Sequence, residues 1–328
     1  MVRLSRMADA AGLPTTRLMA DFAALSLGPG HLTAADYERL RLYDEGLWGA
    51  ADRREVAGLR RGHEIVRQAN FRADAHGLVA DRLACDAYLA AHGLPTAPVL
   101  AIFRAGLATS GQNLLRDRGE LRDFLKAHSN RPLVAQPAEG GRARLLFADR
   151  GHDPAADIER LIVETGDTPG VSWRLQPLLT PHPAYGKLTG GRLAPVQLLT
   201  IADDIGVRVF RALWRLGGRD DLVASLDLES GHALDLFPAA SPHLIEAAPA
   251  DLAVPDWELL KATAGEGARL FSQFGLLGWD IGPGESGPVI LGADPAPDFT
   301  LCQLAARRGV LEPEFLAFLA DRRHLAGG

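Results

Sequence analysis

The stretch Gly278-Trp279-Asp280-Ile281-Gly282-Pro283-Gly284-Glu285-Ser286-Gly287-Pro288-Val289-Ile290-Leu291-Gly292-Ala293-Asp294 holds two apolar runs separated by glycine, proline and serine. The runs 275–281 and 287–291 read as strands. Residues 282–286 read as the loop between them, because Gly-Pro and Ser-Gly pairs punctuate extended segments. A two-stranded hairpin near the end of the chain is the most informative feature of the sequence.

Working upstream, residues 171–236 are mainly extended, with strands expected at 173–179, 196–201, 207–216, 222–228 and 232–236. A long helix is expected over 256–274, and two closing helices over 301–308 and 312–322. Further back, 98–103 is a short apolar run bounded by proline and glycine, so a strand. Residues 132–136 and 144–147 read as two more strands joined by a turn at 138–142, with helices at 120–127 and 153–164. Residues 81–92 form a clear helix stopped by Gly93 and Pro95. Residues 1–70 read as helical: Leu40, Tyr43 and Leu47 recur at helical spacing, and Thr33 stands where a cap belongs. Helix is expected to continue through 55–70.

The prediction is an α+β protein with a helical N-terminal region (1–75), a mixed region of small lobes (76–170) and a larger C-terminal lobe (171–328) whose antiparallel strands carry helices on one side. The apolar positions of the N-terminal helices favour docking on the lobes, since an amphipathic helix gains most of its stability by packing.

The 328 residues, 47% hydrophobic and 23% charged, have the balance of an ordinary globular protein. A formal charge of −6 gives no nucleic-acid footprint. The pairs Arg53-Arg54, Arg60-Arg61, Arg307-Arg308 and Arg322-Arg323 are mostly interleaved with acidic residues and read as solvated helix faces. Cys85 and Cys302 lie in apolar helical stretches and read as buried free thiols. No run is long and apolar enough to span a bilayer, and the N-terminus lacks a secretory pattern, so a cytoplasmic protein is expected. No P-loop, dinucleotide fingerprint, zinc pattern or G-x-S-x-G is present. His182, in a loop before Pro183, reads as a solvated side chain.

The hairpin, with Pro297-Asp298 after it, resembles the closing segment of the sugar-transfer-associated (hexapeptide-transferase-linked) ATP-grasp family: G-W-D-(apolar)-A, a short turn, G-P-(apolar)3-E-x-N, then P-D. Leu175-Gln176 through His182-Pro183 is similar to that family's Q-x-x-(apolar)-x-x-H-P segment. Residues 193–200 look like its L-N-T-x-R strand, and Arg211-Ala-Leu-Trp-Arg215-Leu-Gly217 like its L-R-(apolar)-G strand. Asp81-Arg82-Leu83 with Gly93-Leu94-Pro95 resembles its D-K helix and G-x-P turn. The resemblance covers roughly 81–303 and implies an ATP-grasp-like two-lobe fold holding ATP and Mg²⁺, with phosphoryl transfer to a carboxylate. It implies metal ligation by Asp280 and Asp294, and nucleotide contacts near Arg82, Gln136, Gln176 and Gln197. It also implies a bearing on the phosphates for Arg211 and Arg215.

The chain departs from that pattern where charge is needed. Gln136 stands where the family has a lysine, and a neutral amide supplies no point charge. Gln197 replaces an arginine, Ala194-Pro195 an Asn-Thr pair, and Gly292 the glutamate ligand; the segment after the second strand is shortened to 217–221. Three readings stay open: a divergent ATP-dependent carboxylate–amine ligase of a biosynthetic pathway acting on a small-molecule substrate, a catalytically silent ATP-grasp-like protein serving as binding module or partner of a pathway enzyme, and a cleft turned to another ligand.

Overall fold

The computed structural model describes residues 2–71, 76–104, 113–138, 143–147, 153–166, 170–218 and 221–327. The turn expected at 138–142 and the shortened segment 217–221 fall partly outside the described residues.

The N-terminal region holds α1 (Val2–Ala11), α2 (Thr15–Ser26), α3 (Ala34–Arg39) and α4 (Leu59–Ala69). Thr33 caps α3 in a reciprocal capping box with Asp36, as the sequence suggests. Helix does not run from 55: residues Asp52–Glu55 close a 3₁₀ turn, and Gly58, in extended backbone, becomes the start signal for α4. Next come α5 (His76–Ala80) and α6 (Arg82–Ala91), the latter capped by the Asp81 carboxylate on the Leu83 and Ala84 amides.

The smaller lobe follows with β1 (Ala101–Phe103), β2 (Leu114–Leu115), α7 (Arg118–Ala127), β3 (Leu133–Pro137), β4 (Arg144–Leu146), α8 (Pro154–Gly166) and β5 (Trp173–Pro177). Its strands pair in the order β2-β1-β5-β3-β4. Strand periodicity divides the sheet. Leu133, Ala135, Trp173 and Leu175 pack with Leu121 and Leu125 of α7 and Leu161 of α8, whereas Gln136, Arg174 and Gln176 point to the other face.

The larger lobe holds α9 (Pro183–Gly186), β6 (Val196–Asp203), β7 (Gly206–Gly217), β8 (Leu222–Leu226), β9 (Ala233–Pro238), β10 (Glu246–Ala247), α10 (Trp257–Leu270), β11 (Leu276–Gly284), β12 (Gly287–Asp294), α11 (Thr300–Ala306) and α12 (Pro313–Gly327). The strands form an antiparallel sheet in the order β10-β9-β8-β7-β6-β11-β12. The hairpin is longer than expected: β11 continues through Gly284, Pro283 faces Pro288, and only Glu285 and Ser286 remain as the turn. Here β11 has outrun β6, whose pairing stops at Ile281–Val196, so the prolines sit where ladder donors are not needed.

Helices cover both faces of this sheet, not one. Leu198, Trp214 and Trp279 pack under α10 with Leu260 and Ala264. Leu199, Ile201 and Leu276 pack against Tyr37, Trp48 and Ile65 of the N-terminal region and Phe315 of α12. This explains why β6 reads as a nearly unbroken apolar run: successive side chains serve opposite cores. The N-terminal region therefore shares a core with the large sheet. Gly309 fixes this junction, because a Cβ there would stand 2.0 Å from the Glu55 carbonyl carbon. Cys85 and Cys302 are buried and free, and burial pushes both thiols up to about 12. No helix among the described residues is long and apolar enough to cross a membrane.

Candidate functional site

The two sheets meet at the edge strand β12. The Ile290 amide donates to the Pro95 carbonyl at 2.7 Å, and Thr96 bridges to Ile290. Arg82 at the start of α6 and Arg174 on β5 both donate to the Leu291 carbonyl, at 3.2 and 3.4 Å. At this junction lies a cleft of three adjoining cavities: about 400 Å³ between the two sheets, about 610 Å³ between the large sheet and the start of α6, and about 680 Å³ within the larger lobe, each within the range of small-molecule sites. All three share one lining residue, Asp280.

Asp280 stands on β11 between Gln197 on β6 and Gly292 on β12, in direct register with both. Gln197 Nε2 donates to Asp280 Oδ1 at 3.0 Å. Burial pushes the Asp280 carboxyl upward; the Gln197 bond and the charges of Arg82 and Arg215 pull it back, and Asp294 adds to the rise. Asp294, two positions beyond Gly292, accepts the Ala296 amide on Oδ1 at 2.8 Å.

On the small-lobe wall, Gln136 and Gln176 line the 400 Å³ cavity. Their amides are committed: Gln136 Oε1 accepts from Arg174 at 2.6 Å, and Gln176 Nε2 donates to the Ala97 carbonyl at 3.3 Å. Arg82 borders both the 400 and the 610 Å³ cavities. Arg215, on β7, borders the 610 and 680 Å³ cavities and pairs with Asp221 at 2.9 Å.

Of the eight residues singled out from the sequence, seven therefore surround this cleft and Arg211 does not. Arg211 is buried on the N-terminal side of the large sheet, where it pairs with Glu312 at 3.1 Å and donates to the Gly309 and Phe210 carbonyls. Arg211 and Arg215 share one face of β7 by strand alternation; Arg211 lies opposite Leu199, in the core shared with the N-terminal region, whereas Arg215 lies beyond the Gln197–Leu213 pair and lines the cleft, so spacing along β7 alone does not show which arginine reaches it.

Two cleft arginines were not legible as such. Arg174 is only 2% exposed, forms an ion pair with Asp86 and sits directly opposite Gln136 in the β3–β5 ladder. Its Nε has no hydrogen-bond partner among the described residues. The signal was an arginine alternating with Trp173 and Leu175, on the Gln176 face. Burial dominates both partners of the pair, lowering the Arg174 guanidinium and pushing the Asp86 carboxyl up to about 6. Arg192, exposed in the loop before β6, lines the 400 and 680 Å³ cavities and makes no side-chain hydrogen bond or ion pair among the described residues. A loop arginine carries no sequence signal of that kind.

Asp280 and Asp294, the two ligands that the resemblance implies for Mg²⁺, form a sparse donor set. No group of three or more metal-ligating side chains occurs among the described residues. Gly292 has no side chain to offer, and Arg82 Nη1 lies 2.9 Å from where its Cβ would stand. A divalent ion 4 Å from a guanidinium would meet a repulsion of roughly 8 kcal/mol at an effective dielectric constant near 20. Four guanidinium groups line the cavities that share this half-buried aspartate, with Arg82 and Arg215 acting on its carboxyl, and such a set suits an anionic ligand.

No family model and no curated protein matches the chain. Among solved structures it is similar to the ATP-grasp ligase PsnB complexed with its minimal precursor, at 19% identity and a TM-score of 0.44, covering 76% of this chain and 64% of that one. It is also similar to the D-alanine–D-alanine ligase of Coxiella burnetii (8% identity, TM-score 0.46, 76% of this chain and 59% of that one). A third is N5-carboxyaminoimidazole ribonucleotide synthetase of Thermotoga maritima (11%, 0.40, 68% and 44%). The chain spans under two thirds of the length of each.

Proposed function

We propose that the interlobe cleft is a nucleotide site, and that the chain is a divergent ATP-grasp-like protein of carboxylate–amine ligase ancestry with altered use of ATP and Mg²⁺. The observation that carries this reading is the convergence of Arg82, Arg174, Arg192 and Arg215 on cavities that all share Asp280. The residues that the family resemblance marks, Gln136, Gln176, Gln197, Asp280 and Asp294, line the same cleft. The 400 Å³ cavity, walled by Val134, Leu145, Leu178 and Leu193, supplies the apolar surface that a flat base needs; the arginines at its mouth supply the charge that phosphates need.

A second reading, a catalytically silent binding module or partner subunit, draws on the commitment of Asp280 to Gln197 and the absence of a side chain at Gly292. Thermal unfolding with millimolar ATP tests the nucleotide site: the wild type should rise by a few degrees, as a site well above half-saturation stabilises by about 1–3 kcal/mol, and Arg192→Ala by less. No rise at millimolar ATP contradicts the nucleotide reading. Release of ADP with a carboxylic acid and an amine present separates the ligase from the silent module.

A further inference from the structure

We infer that the cleft holds the phosphates of its ligand without a divalent cation, with Arg82, Arg192 and Arg215 standing where metal ions would. The inference rests on the nucleotide reading above and concerns how the charge is neutralised.

The charges around the cavities are unevenly committed. Asp86 answers Arg174, and Asp221 answers Arg215 in an ion pair at the cleft rim with both side chains at least one-third exposed. Arg82 has one side-chain hydrogen bond, to the Leu291 carbonyl, and Arg192 has none among the described residues. Arg82 and Arg192, which form no ion pair among the described residues, both border the 400 Å³ cavity, where Asp280 is the only acidic lining residue among those described.

The acidic side of a metal site is correspondingly taken apart. One oxygen of Asp280 is held by Gln197 and one of Asp294 by the Ala296 amide. Facing Asp280 across the ladder, Gly292 leaves a space that the Arg82 guanidinium fills. Restoring a carboxylate at 292 would bring it onto Arg82 before it reached any cation. A guanidinium keeps its charge at every working pH and presents a planar fork of donors that matches two phosphate oxygens. Magnesium chelates the same oxygens and reduces their charge, so it competes with the arginines.

The test is isothermal titration calorimetry of the full chain with ATP, in EDTA and again in excess Mg²⁺. The wild type is expected to bind metal-free ATP at least as tightly as Mg-ATP. Arg192→Ala, an exposed position that leaves the fold alone, is expected to weaken metal-free binding roughly 10-fold or more. The double variant Arg82→Ala/Gly292→Glu is expected to reverse the preference towards Mg-ATP. Wild-type binding only when Mg²⁺ is present would overturn the inference and leave the nucleotide site standing. Metal-free binding indifferent to both Arg192→Ala and Arg82→Ala would also overturn it. Absence of ATP binding in both buffers would remove the nucleotide reading itself.

Discussion

The guanidinium of Arg82 fills the space beside Gly292: its Nη1 lies 2.9 Å from where a Cβ on that glycine would stand. One residue comes from the start of α6 and the other from the edge strand of the large sheet, so the contact joins parts of the chain about 200 residues apart. The first prediction follows from its being a contact with the end of a flexible side chain. Gly292→Ala should cost under ~1 kcal/mol in chemical denaturation, because Arg82 can give way. Gly292→Glu should fold equally well but weaken anion binding about 10-fold or more, as its carboxylate would pair with Arg82.

Gly309 offers the contrasting case. The three atoms nearest a Cβ there are backbone, the carbonyl carbon and oxygen of Glu55 and the amide nitrogen of Val56, at 2.0–2.3 Å. Gly309→Ala should therefore destabilise by at least ~2 kcal/mol, read by urea unfolding, since the N-terminal region must move off the C-terminal helices to admit it.

Arg211 and Arg215, four residues apart on one strand, should separate cleanly. Arg211→Ala breaks a buried ion pair and leaves the buried Glu312 paired with the half-exposed Arg308, and should cost about 1.5–3 kcal/mol of stability. Its effect on ligand affinity at a permissive temperature should be negligible. Arg215→Ala removes a rim ion pair and should cost under ~1 kcal/mol while weakening nucleotide binding. Unfolding and calorimetry on the same two variants check both halves.

Asp86 carries the pH prediction. Burial raises its carboxyl to about 6, above the ordinary carboxylate near 4. The folded state then binds this proton more tightly than the unfolded state does. The Asp86 contribution to stability should accordingly rise as pH falls from about 6 towards 4, against the usual trend for paired carboxylates. A carboxyl-carbon NMR titration should place its midpoint near 6. Arg174→Met, which removes the charge that holds the carboxyl down, should move it higher; a midpoint near 4 in the wild type would contradict this.

The sequence carried the α+β order of elements well, because strand punctuation by Gly and Pro and caps such as Thr33 and Asp81 are local signals. It misjudged what depends on tertiary context. The second helical layer was not visible, since Leu199 and Ile201 look the same whether their face is covered or bare. Pro283 and Pro288 concealed the true length of the hairpin because a register that spares their missing donors is set by the neighbouring strand. At the site, Asp280 and Gln197 were found from the resemblance, and Arg82 with them. Arg174 was hidden by its partner Asp86, 88 residues away, and Arg192 by lying in an ordinary loop.

A crystal structure of the protein grown with ATP in the presence of EDTA would decide whether arginines alone hold the phosphates. It should show a base in the cavity walled by Val134 and Leu193, with phosphate oxygens within hydrogen-bond distance of Arg82 and Arg192 and no metal between Asp280 and Asp294. A nucleotide bound away from these arginines, or a cleft that stays empty at millimolar ATP, would contradict that arrangement.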